Sequence, residues 1–376
     1  MKSRDDCAVE GNPDRRPHWV SRLLSDFVGF ATFRGRRSTE CTRNPSAAAP
    51  TARLLRSRVL HNASWYPRGL LAFVTSLPHP VNCASYPRRS DLLASTLASI
   101  LRQTHDDFRI VVVVNEMPVG TMPTDPRIEY VSVDYPPPRL PVGRPFTASD
   151  LYADKGAKLA VGAAVATRSE ADYIMFVDSD DFISRRLAEF VANSVGEPGW
   201  YSDTGYFHIR RARTVTPVLH GFHQRNGSTH ILRSDLVGVP ADLDLEAPRD
   251  LLIERVGAER VRSLMGDHKW IVSFFADQGT PLAPLPFPAA IWEIGTGENF
   301  SQVLTAAGSK APVAGHTSDE FGLPVPSRRA DIGARLSSFK ARITTRVVRR
   351  FDPIEAQRKR LQDAGPDSAT AASDST

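Results

Sequence analysis

Tyr173-Ile-Met-Phe-Val-Asp-Ser-Asp-Asp181 is the stretch on which the reading of the fold turns. Five apolar residues run without a break into three carboxylates, Asp178, Asp180 and Asp181, with Ser179 between the first two. A continuous apolar run of this length is what a parallel strand needs when helices cover both faces of its sheet. Ligands of open α/β sheets collect at the carboxyl ends of the strands, so the acidic residues are expected at a binding edge. Alternate residues of an extended segment point the same way, which predicts Asp178 and Asp180 on one site. Crowded carboxylates repel unless a cation or a proton intervenes. A hard divalent ion, Mn2+ or Mg2+, bridging to a diphosphate would resolve that repulsion, with Asp178, Asp180 and Asp181 as its ligands. The plain alternative is a solvated acidic turn, because Asp favours turns.

Upstream, Leu70-Leu-Ala-Phe-Val-Thr reads as a buried strand that leads into a loop with Pro78, His79 and Pro80. A helix follows, its start marked by Ser90 or Asp91, with Leu92, Leu93, Leu97, Ile100 and Leu101 at helical spacing. Phe108 to Val114 is a second continuous apolar strand and Ile128 to Val133 a third; a Pro-rich loop from Pro136 to Pro145 and an Ala-rich helix from Lys155 to Thr167 come next. Strand, helix, strand, strand, helix, strand is the rhythm of an open α/β sheet built with right-handed crossovers. Downstream the pattern predicts helices over 185–195 and 266–278, strands over 206–210 and 229–232, and a loop over 306–326. There is no internal repeat.

In their order along the chain these pieces resemble a known family. The first strand, the helix containing Ser95-Thr-Leu-Ala-Ser-Ile-Leu-Arg-Gln-Thr104, the strand Arg109-Ile-Val-Val-Val-Val-Asn115 and Phe176-Val-Asp-Ser-Asp-Asp181 look like the nucleotide-binding half of family 2-like glycosyltransferases of the GT-A fold. Asp154-Lys155-Gly-Ala-Lys158 together with the acidic cluster is similar to bacterial proteins labelled rhamnosyltransferases. The resemblance covers roughly residues 68–302. It implies a Rossmann-like open mixed sheet flanked by helices over 67–305; residues 1–66, which mix Arg, Ser, Pro and Ala without a sustained period, read as a mobile basic extension. A linker, a basic amphipathic helix and a disordered tail would fill 306–376.

The resemblance also implies roles. The loop Thr75, Ser76 to His79 would line a nucleotide pocket, with Asn115 and Glu116 near the base or ribose and Asp178 and Ser179 on the donor. Asp154 would cap the following helix while Lys155 reaches phosphate from its positive end; a cap beside a solvated lysine is an equal reading, and Lys158, one turn on, is expected to be exposed. Transfer to an acceptor hydroxyl with inversion needs a base, and Asp267, at the head of a late helix, is the candidate. His268 would orient Asp267, bind the metal, or cap a loop. The partners implied are a nucleotide-sugar donor and a glycan or lipid-linked acceptor, the commonest setting being cell-surface polysaccharide or glycolipid synthesis. A catalytically silent nucleotide-sugar-binding module remains open, as does hydrolysis of the donor. A phosphatase with an Asp-x-Asp motif would want Thr or Val where Phe182 stands and would place the motif on the first strand. A sugar nucleotidylyltransferase would open with a Gly-rich, Arg-containing loop, which Thr75-Ser-Leu-Pro-His-Pro80 is not.

Other signals are weaker. His220-Gly-Phe-His223 and His230 lack the helical spacing and nearby carboxylate of a common zinc site. Trp292 reads as core or as a plane against a sugar, and Gly295, Gly297 and Asn299 as a loop that closes over diphosphate. The chain's net charge of +5 invites a nucleic-acid reading, yet it comes from the flanks: 1–66 carries +6 and 327–361 carries +8, whereas 67–326 carries −6. A basic nucleic-acid groove in the folded core is therefore not expected. Ile332, Leu336, Phe339, Ile343 and Val347 form one apolar stripe beside Arg335, Lys340 and Arg346, which fits peripheral contact with an anionic membrane or docking on the catalytic domain. Only Cys7, Cys41 and Cys83 are present, without Cys-x-x-Cys spacing, and no apolar stretch approaches the roughly 20 residues of a membrane span. A cytoplasmic protein, peripheral to the inner face of the membrane at most, is the expectation.

Overall fold

The computed structural model describes residues 68–138, 148–240, 242–298, 310–313, 315–325 and 327–328. The basic extension 1–66, Asn299, the amphipathic helix 330–350 and the tail lie outside the described residues. Within them the protein is a mixed α/β structure with two mixed sheets flanked by helices.

The chain opens with β1 (Leu71–Ser76), α1 (Tyr86–Ile100), β2 (Phe108–Val114), β3 (Ile128–Ser132), α2 (Ala148–Arg168) and β4 (Tyr173–Val177). All four strands are parallel, in the spatial order β3, β2, β1, β4. Their apolar runs serve both faces, as the period of two demands. Ala72, Val74, Val111, Val113, Ile174 and Phe176 pack under α2, while Leu71, Phe73, Ile110, Val112, Tyr173 and Met175 pack under α1. The sheet first grows outward from β1 through β2 to β3, and the chain then returns to lay β4 on the other side of β1. That reversal opens a crevice between the carboxyl ends of β1 and β4, the position at which open α/β sheets bind ligands.

After β4 the chain makes β5 (Phe182–Ile183), α3 (Leu187–Ala192), β6 (Gly199–Tyr201), β7 (Gly205–Ile209), β8 (Thr214–Val218) and β9 (His230–Arg233). β9 runs antiparallel to both β4 and β6 and extends the first sheet, which ends at β10 (Ala283–Pro284). A second sheet has the order β12, β8, β7, β11, β5, where β11 is Ala290–Ile294 and β12 is Ala311–Pro312. β5 borders it and follows the acidic cluster directly, so the second sheet begins where the crevice ends.

Several boundaries differ from the sequence expectation, each for a local reason. α1 begins at Tyr86, not at Ser90 or Asp91, because Ser85 accepts a hydrogen bond from the Arg88 N–H and Pro87 sits in the first turn. α2 begins at Ala148, so Asp154 and Lys155 lie inside it: Asp154 caps nothing and Lys155 is not at its positive end. Lys158, expected outside, is fully buried. The helix predicted over 185–195 is confined to Leu187–Ala192. The one predicted over 266–278 is interrupted: Val261–Gly266 is a π turn, Asp267 is extended, and a 3-10 turn His268–Trp270 leads into α5 (Ile271–Asp277) after α4 (Arg249–Val256). Trp292 lies within β11, and the expected loop over 306–326 contains the helix α6 (His316–Phe321). β6 and β8 carry no clear strand signal in the sequence; Gly199 and Pro217 blur their patterns.

Candidate functional site at the crevice

Three segments meet at the crevice: the turn after β4, the middle of α2, and the break at Asp267. Two glycines explain the third. A Cβ on Gly156 of α2 would lie 2.6 Å from the Val261 carbonyl oxygen, and one on Gly266 would lie 2.6 Å from the Tyr152 carbonyl oxygen. Side chains at either position would force the π turn away from α2. The close approach delivers Asp267 and His268 to the side of α2 that carries Lys155.

The acidic residues form a turn, with the Asp181 N–H donating to the Asp178 carbonyl at 3.2 Å, instead of the extended segment expected. Each carboxylate consequently has different partners. Asp178 accepts a hydrogen bond from the Lys155 ammonium and is partly exposed. Burial pushes its carboxyl up, but the Lys155 cation and its hydrogen bond, helped by His268 and the Gly227 N–H, leave it below the usual carboxylate range. Lys155 in turn is desolvated, which opposes its charge, yet Asp178, Asp180 and Asp181 together hold it above the ordinary lysine value. Asp180 meets Arg89 of α1 at 3.4 Å. Burial raises its carboxyl, Arg89 opposes, and the Asp178 and Glu293 charges add, so that it reaches about 6. Asp181 is fully buried; burial first and then its two acidic neighbours raise it well above the usual range, against hydrogen bonds from Ser228 and Asn226 at 2.6 Å each.

Asn226-Gly227-Ser228 is the cradle of this turn, and sequence reading missed it. The Ser228 hydroxyl accepts from the Asp178 N–H at 2.8 Å while donating to Asp181. A Cβ at Gly227 would lie 2.6 Å from an Asp178 carboxylate oxygen. The Asn-Gly pair is a turn signal that was available in the sequence; its partner in the cradle was not, being 45 residues away. Arg89 was missed for the same reason.

Asp267 accepts from the Lys269 N–H and heads its 3-10 turn, near the start of the helical segment as expected. His268 lies within electrostatic reach of both Asp178 and Asp267. Burial dominates there and takes the imidazole down to about 4, so it is neutral at neutral pH. Its Nε2 is buried and without a hydrogen-bond partner, as is the Asp181 Oδ1. His230, which the sequence placed among zinc candidates, is buried beside His268 and His223 and held well below the ordinary value by burial and by those two rings. His220 and His223 both lie against Asp203, at 3.1 and 3.2 Å.

The strand ends of β1 and β2 complete the crevice. Thr75 is buried with its hydroxyl unpartnered, and Ser76 is half-buried. The Asn115 amide donates to the Val133 and Tyr135 carbonyls at 3.1 and 2.8 Å. Two carbonyl acceptors dictate its orientation, which leaves the Asn115 Oδ1 buried and unpartnered. Glu116 is exposed and contributes its backbone carbonyl to the Tyr86 hydroxyl. Asp154 is not at the crevice: it is buried against Lys158 at 2.7 Å and Arg249 at 3.4 Å. Ser179 is buried within the acidic turn, and Trp292 packs on Phe207 at 5.1 Å, in the core.

Among the described residues no three His, Cys, Asp or Glu side chains converge on one metal position. The donor chemistry nonetheless fits a hard divalent ion that shares its coordination with phosphate and water, because such an ion needs only one or two carboxylates from the protein. Asp178 and Asp180 are two all-oxygen donors at one strand end, and burial, then the Asp178 and Glu293 charges, raise the Asp180 carboxyl against Arg89 and Lys155.

No family model matches this chain, and no curated protein matches it. Among solved structures, the glycosyltransferase GlyE of Streptococcus pneumoniae TIGR4 is similar over 57% of this chain at 13% identity, with a TM-score of 0.29. The matched part spans 45% of that protein. A likeness of this size carries no argument about activity, and the case rests on the site itself. No described helix is long and apolar enough to cross a membrane.

Proposed function

We propose that the protein is a nucleotide-sugar-dependent glycosyltransferase that moves a sugar to an acceptor hydroxyl with inversion, using Mn2+ or Mg2+ held by Asp178 and Asp180. The observation that carries this reading is an acidic turn at the reversal point of the parallel strands, with the neutral His268 imidazole within electrostatic reach of Asp178 and Asp267 next to it in the chain. The resemblance of the strand and helix motifs to family 2-like glycosyltransferases supports it. A bound divalent ion would supply charge neutralisation of the departing diphosphate.

The chain's own residues have separable tasks. Thr75 Oγ1 and Asn115 Oδ1, unpartnered at adjacent strand ends, accept from the nucleoside. Lys155 holds Asp178 ionised and stands beside the position of the diphosphate. Asn226, Gly227 and Ser228 fix the turn so that Asp178 and Asp180 do not need to reorganise on binding. Asp267, whose carboxylate the Lys269 N–H holds, takes the acceptor proton, and neutral His268 beside it does not compete for that proton.

The test is calorimetric titration of nucleoside diphosphates into wild type and Asp180→Ala, with Mn2+, with Mg2+ and with chelator. Binding of one diphosphate that needs metal and is lost in the variant is the expected result. Binding indifferent to both removes the donor site, and with it the transferase reading. A released-diphosphate assay with and without acceptors then separates transfer from hydrolysis.

A further inference from the structure

A cavity of about 280 Å³ opens between α1 and the second sheet, lined by Ser95, Phe182, His208, Arg210, Arg211 and Glu293 among others. With about 30 Å³ per water molecule, its volume matches a group the size of a monosaccharide. Its floor is a buried polar cluster. His208 places Nδ1 3.2 Å from the Glu293 carboxylate and Nε2 2.9 Å from the Ala212 carbonyl, and Arg210 reaches the other Glu293 oxygen at 2.8 Å. The Glu293 carboxylate is thus met by both His208 and Arg210. Arg210 is paired with Glu293, which leaves Arg211 as the lining cation outside that cluster.

Arg211 is the informative member. It has no hydrogen-bond or ion-pair partner among the described residues. It stands at the third position of the turn closed by the Ala212 N–H on the Ile209 carbonyl at 2.8 Å, with φ at 66°. That left-handed conformation favours glycine and strains a long side chain. An exposed cation at a strained hairpin tip, on the lining of a cavity whose carboxylate is already met by Arg210 and His208, is an arrangement suited to an anion.

We propose that this cavity binds the anionic group, carboxylate or phosphate, of a sugar-sized ligand, with Arg211 as its principal contact and Phe182 beside the ring. On the glycosyltransferase reading, the ligand is an acidic acceptor. Phe182 lies two residues from Asp180, and Glu293 is within electrostatic reach of the Asp180 carboxyl, so the cavity adjoins the donor crevice across β5.

The experiment is calorimetry in chelator, without nucleotide, so it does not depend on the donor site. The probes are glucuronate, glucose 1-phosphate and, as the uncharged control, glucose. The result expected is saturable binding of one or both anions but not of glucose, weakened about tenfold in Arg211→Gly and in Arg211→Gln, as loss of one charge-assisted contact implies. Asp180→Ala, which removes a nearby negative charge, should bind the anions at least as tightly as wild type. Arg211→Gly should also melt at a higher temperature than wild type, since glycine relaxes the turn; a purely structural arginine would give the opposite result. Preference for glucuronate or for the phosphate identifies the source of the charge. Absence of anion binding, binding unchanged in both Arg211 variants, or binding lost in Asp180→Ala instead would each overturn the proposal.

Discussion

One turn apart on α2, Lys155 and Lys158 each hold an aspartate, and the two pairs have opposite characters. Lys155–Asp178 lies at the crevice with side chains 32% and 28% exposed, whereas Lys158–Asp154 is 0% and 6% exposed. Lys158 also donates to the Leu77 carbonyl at 3.0 Å, and Asp154 draws in Arg249, which donates to the Pro136 carbonyl at 3.1 Å. The inner pair thus ties the loop after β1, the segment after β3 and α4 to one helix. Burial pulls the Lys158 ammonium below the ordinary range despite Asp154, while Lys155 is pushed above it. The inner pair is structural because both of its charges are met by protein partners. The outer pair lies at the candidate site, among neighbours that include the unpartnered Asp181 Oδ1 and His268 Nε2.

The comparison breaks most visibly at Lys158. Lys158→Met leaves Asp154 buried with only a long contact to Arg249, and loss of one partner of a buried ion pair costs about 3–5 kcal/mol. Urea unfolding should show that loss, at the low end because Arg249 remains. Adding Asp154→Leu should recover most of it, since an apolar pair of similar volume needs no compensating charge. A loss below about 1 kcal/mol would place the pair with surface ion pairs and dissolve the contrast.

Asp180→Asn should act in the opposite sense. The folded carboxyl titrates near 6 against an ordinary 3.8, so folding binds a proton in that window and the charged group destabilises the fold above it. Below pH 3.8 the carboxyl is protonated folded and unfolded, and the variant should match wild type. Above pH 6 in chelator, Asp180→Asn should be more stable by about 1–3 kcal/mol, because each tenfold change in a carboxyl's proton affinity is worth roughly 1.4 kcal/mol. Arg89 loses an ion pair in the variant but keeps its bond to the Glu298 carbonyl. Thermal melts across pH 3–8 check the sign: a gain that fades on acidification supports a site charged at the expense of stability. Gly227→Ala comes next in size. Its Cβ collides with the Asp178 carboxylate, and we expect about 1 kcal/mol of lost stability together with weakened metal-dependent diphosphate binding, the two read by melt and calorimetry.

β1, β2 and β4 were legible because each is apolar on both faces, a pattern that needs no partner to be recognised; β3, at the sheet edge, shows only Ile128, Tyr130 and Val131 between the exposed Glu129 and Ser132. Asp178, Asp180 and Asp267 were legible because they sit at element ends. The characters of Lys155 and Lys158 were not, since both stand at helical positions and only the fold decides that one faces Asp178 and the other Leu77. The turn geometry of the acidic cluster was hidden for a related reason: Asn226 and Ser228 impose it from about 45 residues away. β8 escaped because Pro217 lies inside it, and α6 because six residues are too short for a period to show.

Lys155→Met gives the smallest stability effect and the sharpest contrast with its neighbour. The outer pair is partly solvated, so its removal should change unfolding free energy by no more than about 1 kcal/mol. Ligand binding should respond far more. Without Lys155 the acidic turn loses the cation that keeps Asp178 ionised, and the diphosphate loses a charged contact beside it, which amounts to about tenfold in affinity at neutral pH. Because Asp178 would then titrate at higher pH, the loss should deepen on acidification in the variant before it does in wild type. Equal affinities for both proteins across pH would mean that Lys155 and Lys158 differ only in exposure, and that the outer pair, like the inner one, is part of the frame.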